Sequence, residues 1–254
     1  MDLSHFDLAV LWPFIAVGFA AQLVDGALGM AFGVISNTLL VAVMGVPPAL
    51  ASQRVHIVEC FTTATSGISH LLHGNVDKKL FFRLLVPGIV GGVLGAYVLT
   101  SIDAAVVKPF VLVYLACIGI YLLVRGLLHP PQQKDAKFIA PLGLVGGFMD
   151  AAGGGGWGPI VTSNLLIQGA DPRKVVGTVN SVEFFLTIAV SAAFVWHLGF
   201  ADVAGATLGL LIGGILAAPI GAWAAKHINP KLMLVLVGIV LTLTSFYGIY
   251  RAWA

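Results

Sequence analysis

The sequence predicts an all-α polytopic membrane protein composed of two inverted repeats. Of its 254 residues, 59% are hydrophobic and 9% are charged, whereas an average soluble domain has about 25% charged residues. Long apolar runs recur along the whole chain, and the second half repeats the first at an offset of about 125 residues. This composition, with a net charge of only +2, excludes a soluble globular enzyme, a disordered chain and a nucleic-acid-binding protein.

The apolar sequence divides into ten predicted membrane segments. Asp2 and Asp7 have the wrong charge for the basic region of a secretory signal peptide, so we expect the first segment to be retained. The segments of the first half are 8–24, 34–46, 51–73, 80–101 and 105–128. Those of the second half are 138–149, 159–169, 175–197, 203–225 and 231–252. The last three of each half are long enough to cross a bilayer as helices, whereas 34–46, 138–149 and 159–169 are too short.

Polar and glycine positions recur in the same order in the two halves. The correspondences are Asp25 with Asp150, Gly29 with Gly154, Gly33 with Gly158, Asn37 with Asn164 after a slip of two residues, Glu59 with Glu183, and His73 with His197. Composition alone would produce chance matches of glycine and leucine, but not ordered matches of Asp, Asn, Glu and His. The sequence therefore predicts a first repeat at 1–128, an inside linker at 129–137 and a second repeat at 138–254.

The distribution of basic residues predicts the orientation of the segments in the membrane. Ten of the thirteen basic residues lie on the inside if the loop between the third and fourth segments is inside. They are Lys78, Lys79, Arg83, Arg125, Lys134, Lys137, Arg173, Lys174, Lys226 and Lys231, and the outside retains Arg54, Lys108 and Arg251. The third segment then runs inward and its repeat, the eighth, runs outward, so the halves are inverted, as in many secondary transporters. Both termini are predicted to face outward, and the first two segments of each half enter and return to one side.

Each half contains a glycine-rich interruption, at 25–33 and at 150–158. Irregular backbone at membrane depth is tolerated only when it is buried in protein or lines a wet cavity. We expect two half-helices whose free amides point at a central cavity, where they would bind an anion. The alternative is that these glycines only permit close helix packing.

The polar residues beside the interruptions admit two roles. Asp25 and Asp150 either cap the broken helices or take part in ion coupling. Asn37 and Asn164 either donate to the substrate or brace the break, and Trp157 lies where it could form a wall of the cavity. The predicted substrate-binding residues are Asp25, Gly26, Gly29, Gly33, Asn37, Asp150, Gly153, Gly154, Gly155, Gly156, Trp157 and Asn164.

A polar stripe follows one face of the third segment and one face of its repeat. The stripe comprises His56, Glu59, Thr63, Ser66 and His70 in the first half, and Asn180, Glu183, Thr187 and Ser191 in the second. A carboxylate at the bilayer centre costs roughly 2.5–3.5 kcal/mol on insertion scales, so Glu59 and Glu183 must face the interior, pair or be protonated. One interpretation is a structural hydrogen-bond network that locks the two repeats together. The other assigns coupling or gating to His56, Glu59, Asn180 and Glu183.

The duplicated motif resembles the sulfite exporter TauE/SafE family of bacterial inner-membrane permeases. It reads Gly18-Phe-Ala-Ala-Gln-Leu-Val-Asp25-Gly-Ala-Leu-Gly29 in the first half and Gly143-Leu-Val-Gly-Gly-Phe-Met-Asp150-Ala-Ala-Gly-Gly154 in the second. The resemblance covers nearly the whole chain. It implies ATP-independent transport of small sulfur-containing or organic anions, such as sulfite, sulfoacetate or related sulfonates.

The leading functional prediction is therefore a secondary anion permease in the bacterial inner membrane. Its predicted partners are a small anion, the lipid bilayer and protons as coupling ion, with no cofactor, metal or nucleic acid. One alternative is a cation-coupled carrier or channel that uses Glu59 and Glu183. A remote alternative is an intramembrane aspartyl protease, but neither Asp25 nor Asp150 lies in the Gly-x-Gly-Asp element which that chemistry requires. No nucleotide-binding loop is present, which disfavours ATP-driven pumping.

Overall fold

The computed structural model describes residues 8–128, 137–168, 170–199, 206–225 and 230–253, and within these ranges the regular structure is entirely helical. The first half contains α1 (Leu8–Leu28), α2 (Phe32–Val43), α3 (Pro48–Leu72), α4 (Lys78–Thr100) and α5 (Ala104–Leu128). The second contains α6 (Ile139–Gly153), α7 (Trp157–Thr162 continued by Ser163–Ile167), α8 (Pro172–Leu198), α9 (Ala206–Ala224) and α10 (Pro230–Trp253). The ten predicted segments are confirmed as helices. Residues 1–7, Ala254 and linker residues 129–136 lie outside the described ranges.

Five of the described helices are long and apolar enough to cross a membrane: α1, α4, α5, α8 and α9. The predicted short segments are also short in the structure. α6 has 15 residues, which is about 22 Å of helix, against a hydrocarbon core of about 30 Å. α3 has 25 residues but carries the polar stripe, which lowers its mean hydropathy. The chain is a multi-pass membrane protein by these criteria.

The helices bury many polar side chains and expose many large apolar ones. Gln22, His56 and Asn180 are fully buried, while Phe110 and Trp196 are 71% and 87% exposed. In a soluble protein most charged and polar side chains are exposed instead, because water solvates them. The polar interior and apolar exterior fit a protein whose solvent is lipid.

The two halves pack through each other rather than side by side. α1 packs against α9 and α6 packs against α4, while α3 pairs with α8 and α5 with α10. This set of pairs is unchanged when every helix is exchanged for its counterpart in the other half. Glycines permit the closest approaches, because a Cβ atom at Gly91 would lie 2.0 Å from the carbonyl oxygen of Leu144, and one at Gly213 would lie 2.0 Å from that of Ile15.

Cross-helix contacts define the relative directions of the paired helices. α3 and α8 run antiparallel, since Cys60 contacts Ser191 and, further along α3, Ser66 contacts Asn180. α1 and α9 run parallel, with Gly18 against Leu210 and Gly26 against Gly221. α4 and α6 are also parallel, with the pairs Gly91 and Leu144, then Gly95 and Phe148.

Two aspartates begin the helices α4 and α8 on the same side of the molecule. The Asp77 side chain accepts hydrogen bonds from the amides of the first turn of α4, and the Asp171 side chain does the same for α8. The Lys174 ammonium group donates to the carbonyl oxygen of Gly74 at 2.7 Å. The basic loops before α4 and α8 are therefore neighbours.

Candidate functional site

The connections from α1 to α2 and from α6 to α7 are tight turns built on glycine. Gly29 has a φ of +66°, Gly154 a φ of +72° and Gly155 a φ of +134°, backbone conformations that favour glycine. Both helices that follow contain a π-helical turn, at Leu39–Val43 in α2 and at Trp157–Thr162 in α7. Such turns occur frequently at functional sites. The predicted helix breaks are therefore present in both halves.

The two breaks pack directly against each other in the centre of the protein. A Cβ atom at Gly155 would lie 2.3 Å from the amide nitrogen of Val34, and one at Gly158 would lie 2.4 Å from Cα of Met30. Gly33 faces the Cα atom of Gly155 in the same way, with 3.3 Å to its Cβ position. In this conformation the glycines permit close backbone approach, as the packing alternative expects.

Each break is capped by its own aspartate. Asp150 Oδ1 accepts hydrogen bonds from the amides of Gly156 at 2.9 Å and Trp157 at 3.1 Å. The Asp25 carboxylate accepts a hydrogen bond from the amide of Phe32, at the start of α2. Phe32 and Trp157 correspond at the repeat offset, so the two caps are equivalent. The amide groups that we expected to bind an anion therefore already donate hydrogen bonds to the two aspartates.

His56 on α3 binds the capping aspartate of the other half. Its Nε2 atom lies 3.0 Å from Asp150 Oδ2, and its Nδ1 atom lies 2.7 Å from the carbonyl oxygen of Ser52. The Ser52 hydroxyl donates to the carbonyl oxygen of Ala151 at 2.9 Å. The imidazole is fully buried. Two residues of one helical turn of α3 thus hold the end of α6.

Asn180 is the counterpart of His56 and lies at the other break. Its side-chain nitrogen donates to the carbonyl oxygen of Val176 at 3.1 Å, and its side-chain oxygen accepts from the Ser66 hydroxyl at 2.8 Å. The same nitrogen is 3.4 Å from the position of a Cβ atom at Gly29. The two halves therefore differ in chemistry at equivalent places, because an amide side chain neither gains nor loses a proton at neutral pH.

Four buried carboxyl groups surround the crossing of the two breaks. Asp25, Glu59, Asp150 and Glu183 are all 5% exposed or less, and they lie close enough to interact electrostatically. Glu59 Oε1 is 2.7 Å from the position of a Cβ atom at Gly33. Among the described residues, Oε2 of Glu59 and of Glu183 has no hydrogen-bond partner, and no lysine or arginine pairs with the four carboxylates. The described ranges also contain no cluster of ligands for a metal ion.

Asn37 and Thr162 tie each break to the opposite half. The Asn37 amide donates to the carbonyl oxygen of Gly153 at 3.4 Å, and the Thr162 hydroxyl donates to that of Gly29 at 2.7 Å. Asn164, which the sequence analysis pairs with Asn37, instead donates to Ile160 within its own helix at 2.7 Å. The structural counterpart of Asn37 is therefore Thr162, at an offset of 125 residues without a slip.

The remaining predicted site residues make packing contacts. Trp157 is fully buried, and its indole N–H donates to the carbonyl oxygen of Val179 at 3.2 Å. A Cβ atom at Gly26 would lie 3.0 Å from Cα of Gly221, and one at Gly153 would lie 2.4 Å from the Tyr114 ring. Trp157 thus packs between α6 and α8, which leaves no observed role for it as a cavity wall.

Tyr114 on α5 is a polar neighbour of the second break that the sequence does not reveal. Its hydroxyl is 2.5 Å from the position of a Cβ atom at Gly156 and has no hydrogen-bond partner among the described residues. An apolar cavity of about 180 Å³ lies beside it between α4, α5 and α6, with Met149 and Gly153 in its wall. Because Tyr114 stands in a run of apolar residues with no repeat counterpart, sequence spacing contains no signal for it.

Comparison with known proteins identifies related membrane proteins over nearly the whole chain. The family model described as "Sulfite exporter TauE/SafE" matches residues 14–248. The chain is 43% identical to "Probable membrane transporter protein YtnM" of Bacillus subtilis, over 94% of this chain and 83% of that protein. It is 25% identical to a "Probable membrane transporter protein" of Haemophilus influenzae, over 84% and 86% of the two chains. It is 24% identical to "Probable membrane transporter protein ORF9" of a Sinorhizobium species, over 96% and 95%. No solved structure matches the chain.

Proposed function

Since the chain belongs to the sulfite exporter TauE/SafE family, we propose that it is a secondary transporter of a small sulfur-containing or organic anion, such as sulfite or a sulfonate. The relatives described above are named as probable membrane transporters. The observation that carries the proposal is the pair of helix breaks, whose amide groups already bind carboxylate oxygens in a buried polar centre.

The amides at the breaks have the chemistry of an anion site. The start of a helix has unpaired N–H groups and a partial positive charge, which together favour an anion. The amides of Gly156 and Trp157 converge on one carboxylate oxygen, and an oxygen of a sulfite or sulfonate group could take its place. Asn37 and Thr162 bring further polar groups to the two breaks.

We propose that transport proceeds by alternating access between two inverted repeats. The antiparallel packing of α3 and α8, which are counterparts, supports an inverted relation. The parallel pairs of α1 with α9 and of α6 with α4 are what a two-fold axis in the membrane plane would produce. A site at the crossing of the breaks would then lie between the repeats, and rocking of one repeat against the other would expose it to each side in turn.

The proposed location is the bacterial inner membrane, with both termini outside. The contact between the loops before α4 and α8 brings Lys174 next to Gly74, and this supports one basic, inward face. In this orientation α3 runs inward and α2 returns outward, so that α1 and α2 form a hairpin that enters and leaves on one side.

A cation-coupled carrier or channel is the second candidate, and the four buried carboxylates favour it. Such a cluster without lysine or arginine partners among the described residues would attract protons or small cations.

A protease interpretation gains no support, because an aspartyl dyad needs two carboxyls that share a proton. Here Asp150 Oδ2 contacts His56 instead, and Oδ1 accepts two amides.

A counterflow screen in proteoliposomes tests the proposal. Vesicles loaded with unlabelled sulfite, sulfate, taurine, sulfoacetate or small carboxylates are mixed with the same labelled compound, and vesicles without protein serve as the control. We expect accumulation for at least one sulfur-containing or organic anion. Accumulation of labelled sodium or potassium ions, with none for any anion, would identify the second candidate as correct.

A further inference from the structure

The contact between His56 and Asp150 requires a proton between the two side chains. His56 Nδ1 faces the carbonyl oxygen of Ser52, which only accepts, so Nδ1 carries a hydrogen. His56 Nε2 and Asp150 Oδ2 are 3.0 Å apart, and without a further proton both would present lone pairs to each other. One proton therefore bridges the pair, either on the imidazole or on the carboxyl group, and the pair is neutral overall.

The other oxygen of Asp150 holds the amides that an anion would need. Oδ1 accepts from both Gly156 and Trp157, so a substrate anion must displace it. The carboxylate is thus a tethered competitor for the proposed site. Charge decides the competition, since hydrogen bonds to an ionised acceptor are roughly twice as strong as those to a neutral one.

On this basis we propose that the bridging proton of His56 and Asp150 is the coupling proton of transport, and that Asp150 is the internal competitor which this proton controls. The inference rests on the proposed anion transport. With the proton in place the pair is neutral and the anion can take the amides. When the proton leaves to the side of lower proton concentration, the pair becomes negative overall, the carboxylate holds the amides more strongly and the anion is expelled.

The groups that face the pair strengthen this coupling. They are Asp25 on α1, Glu59 on α3, Tyr114 on α5 and Glu183 on α8, and the Phe194 ring on α8 lies 5.9 Å from the His56 ring. None of these groups is a base that could replace the lost proton with a positive charge. An anion that enters after the proton has left would meet only negative and neutral groups.

The two breaks have different polar neighbours, and this makes the coupling asymmetric. Asp25 caps the first break, but the counterpart of His56 near that break is Asn180, which cannot bridge a proton. The amide of Gln22 is the side-chain donor to Asp25, at 3.5 Å. A single titratable pair therefore serves two equivalent caps, which predicts one proton per anion from this site.

The test compares two substitutions with opposite expected effects on binding of sulfite and sulfoacetate to the purified protein. In the unaltered protein, anion affinity should fall about tenfold per pH unit on the alkaline side, and binding should take up about one proton. Asp150→Asn removes the competing charge. By the same linkage, the anion affinity at pH 9 should rise by at least about tenfold relative to the unaltered protein, and the affinity should no longer depend on pH. His56→Gln keeps the carboxylate but not its proton, so affinity near neutral pH should fall. The double variant should behave like Asp150→Asn.

The transport readout separates coupling from a structural role. Asp150→Asn should retain counterflow in proteoliposomes but lose uphill transport driven by a pH gradient. His73→Gln, a substitution of the exposed histidine that follows the last residue of α3, should leave both unchanged. If both site variants weaken binding equally at every pH, or if binding to the unaltered protein takes up no proton, the inference is wrong. If no anion gives counterflow, both the proposed function and this inference are wrong. If counterflow occurs but the anion affinity of His56→Gln has the same pH dependence as that of the unaltered protein, only this inference is wrong.

Discussion

His56 and Asp150 show how a residue on one repeat completes a site on the other. The helical spacing of the polar stripe places His56 next to Glu59, and both are on one face of α3. The structure instead joins His56 to Asp150, 94 residues away. Spacing along a helix identifies neighbours on the same helix only, and partners across a helix interface depend on packing. The sequence therefore singled out both His56 and Asp150, but not the contact between them.

Gly155 tests the packing role of the glycine breaks at the level of one residue. Its φ of +134° is strained for any residue with a side chain, and a Cβ atom there would lie 2.3 Å from the Val34 amide nitrogen. Overpacking and backbone strain each cost roughly 1–3 kcal/mol. We expect Gly155→Ala to lower the free energy of unfolding by about 2–6 kcal/mol on these magnitudes, and so to lower the thermal unfolding midpoint measured in detergent.

A glycine in open space provides the matched control for this substitution. Gly45 has a φ of +71° and no atom within 4 Å of its Cβ position, and asparagine accepts this backbone conformation. Gly45→Asn should unfold at nearly the same temperature as the unaltered protein. If Gly155→Ala were equally stable, the breaks would have room to open at this point, and the cavity interpretation would replace the packing one.

At the scale of the helices, the contact between α3 and α8 indicates how the two halves are oriented relative to each other. The sequence predicted both helices and their common polar stripe, because three- and four-residue spacing is visible without a structure. It indicated contact between the repeats only in one of two interpretations of the stripe, and it did not indicate which residues meet. That contact brings Cys60 Sγ to 3.5 Å from Ser191 Oγ.

A disulfide between these two helices tests their antiparallel packing. Ser191→Cys, in a background with Cys117→Ser, should form a disulfide with the native Cys60, because the two side-chain atoms are already in contact. Mild oxidation and mass spectrometry of the digested protein would detect the linked peptides. Thr187→Cys, one turn away on α8, is the matched control and should link much less. Equal linking at both positions would mean that α8 does not hold the observed register.

The short helices were easier to predict in length than in detail. The sequence identified 34–46 and 159–169 as too short to span a membrane, and α2 and α7 begin within two residues of these limits. It did not indicate the π-helical turns, which shift the following side chains around the helix axis. Nor did it indicate that Thr162, rather than Asn164, takes the place equivalent to Asn37. One inserted residue in a helical turn is invisible to a pattern of polar and apolar positions.

At the scale of the whole molecule, the two halves are mutually dependent. The extensive helix pairs are unchanged as a set when each helix is exchanged for its counterpart. α3 with α8 and α5 with α10 are pairs of counterparts, α1 with α9 is equivalent to α6 with α4, and α4 with α8 is equivalent to α3 with α9. Neither half buries its polar centre alone, since α3 supplies the partner of Asp150 and α7 supplies the partner of Gly29. We therefore expect the repeats to fold as one unit, which sequence similarity between the halves cannot reveal.

The orientation of the whole molecule is open to a direct test by labelling of single cysteines. With Cys60 and Cys117 replaced by serine, Ser4→Cys should react with a membrane-impermeant maleimide from outside intact cells. Gln133→Cys, in the predicted linker, should react only after the membrane is permeabilised. The physical reason is the inside position of ten of the thirteen basic residues, which are costly to move across the membrane. The antiparallel direction of α3 and α8 supports opposite orientations of the two halves, and we then expect an odd number of crossings between the two labelled positions. Labelling of both cysteines from the same face would contradict the inverted topology and remove the geometric basis for a site shared between the repeats.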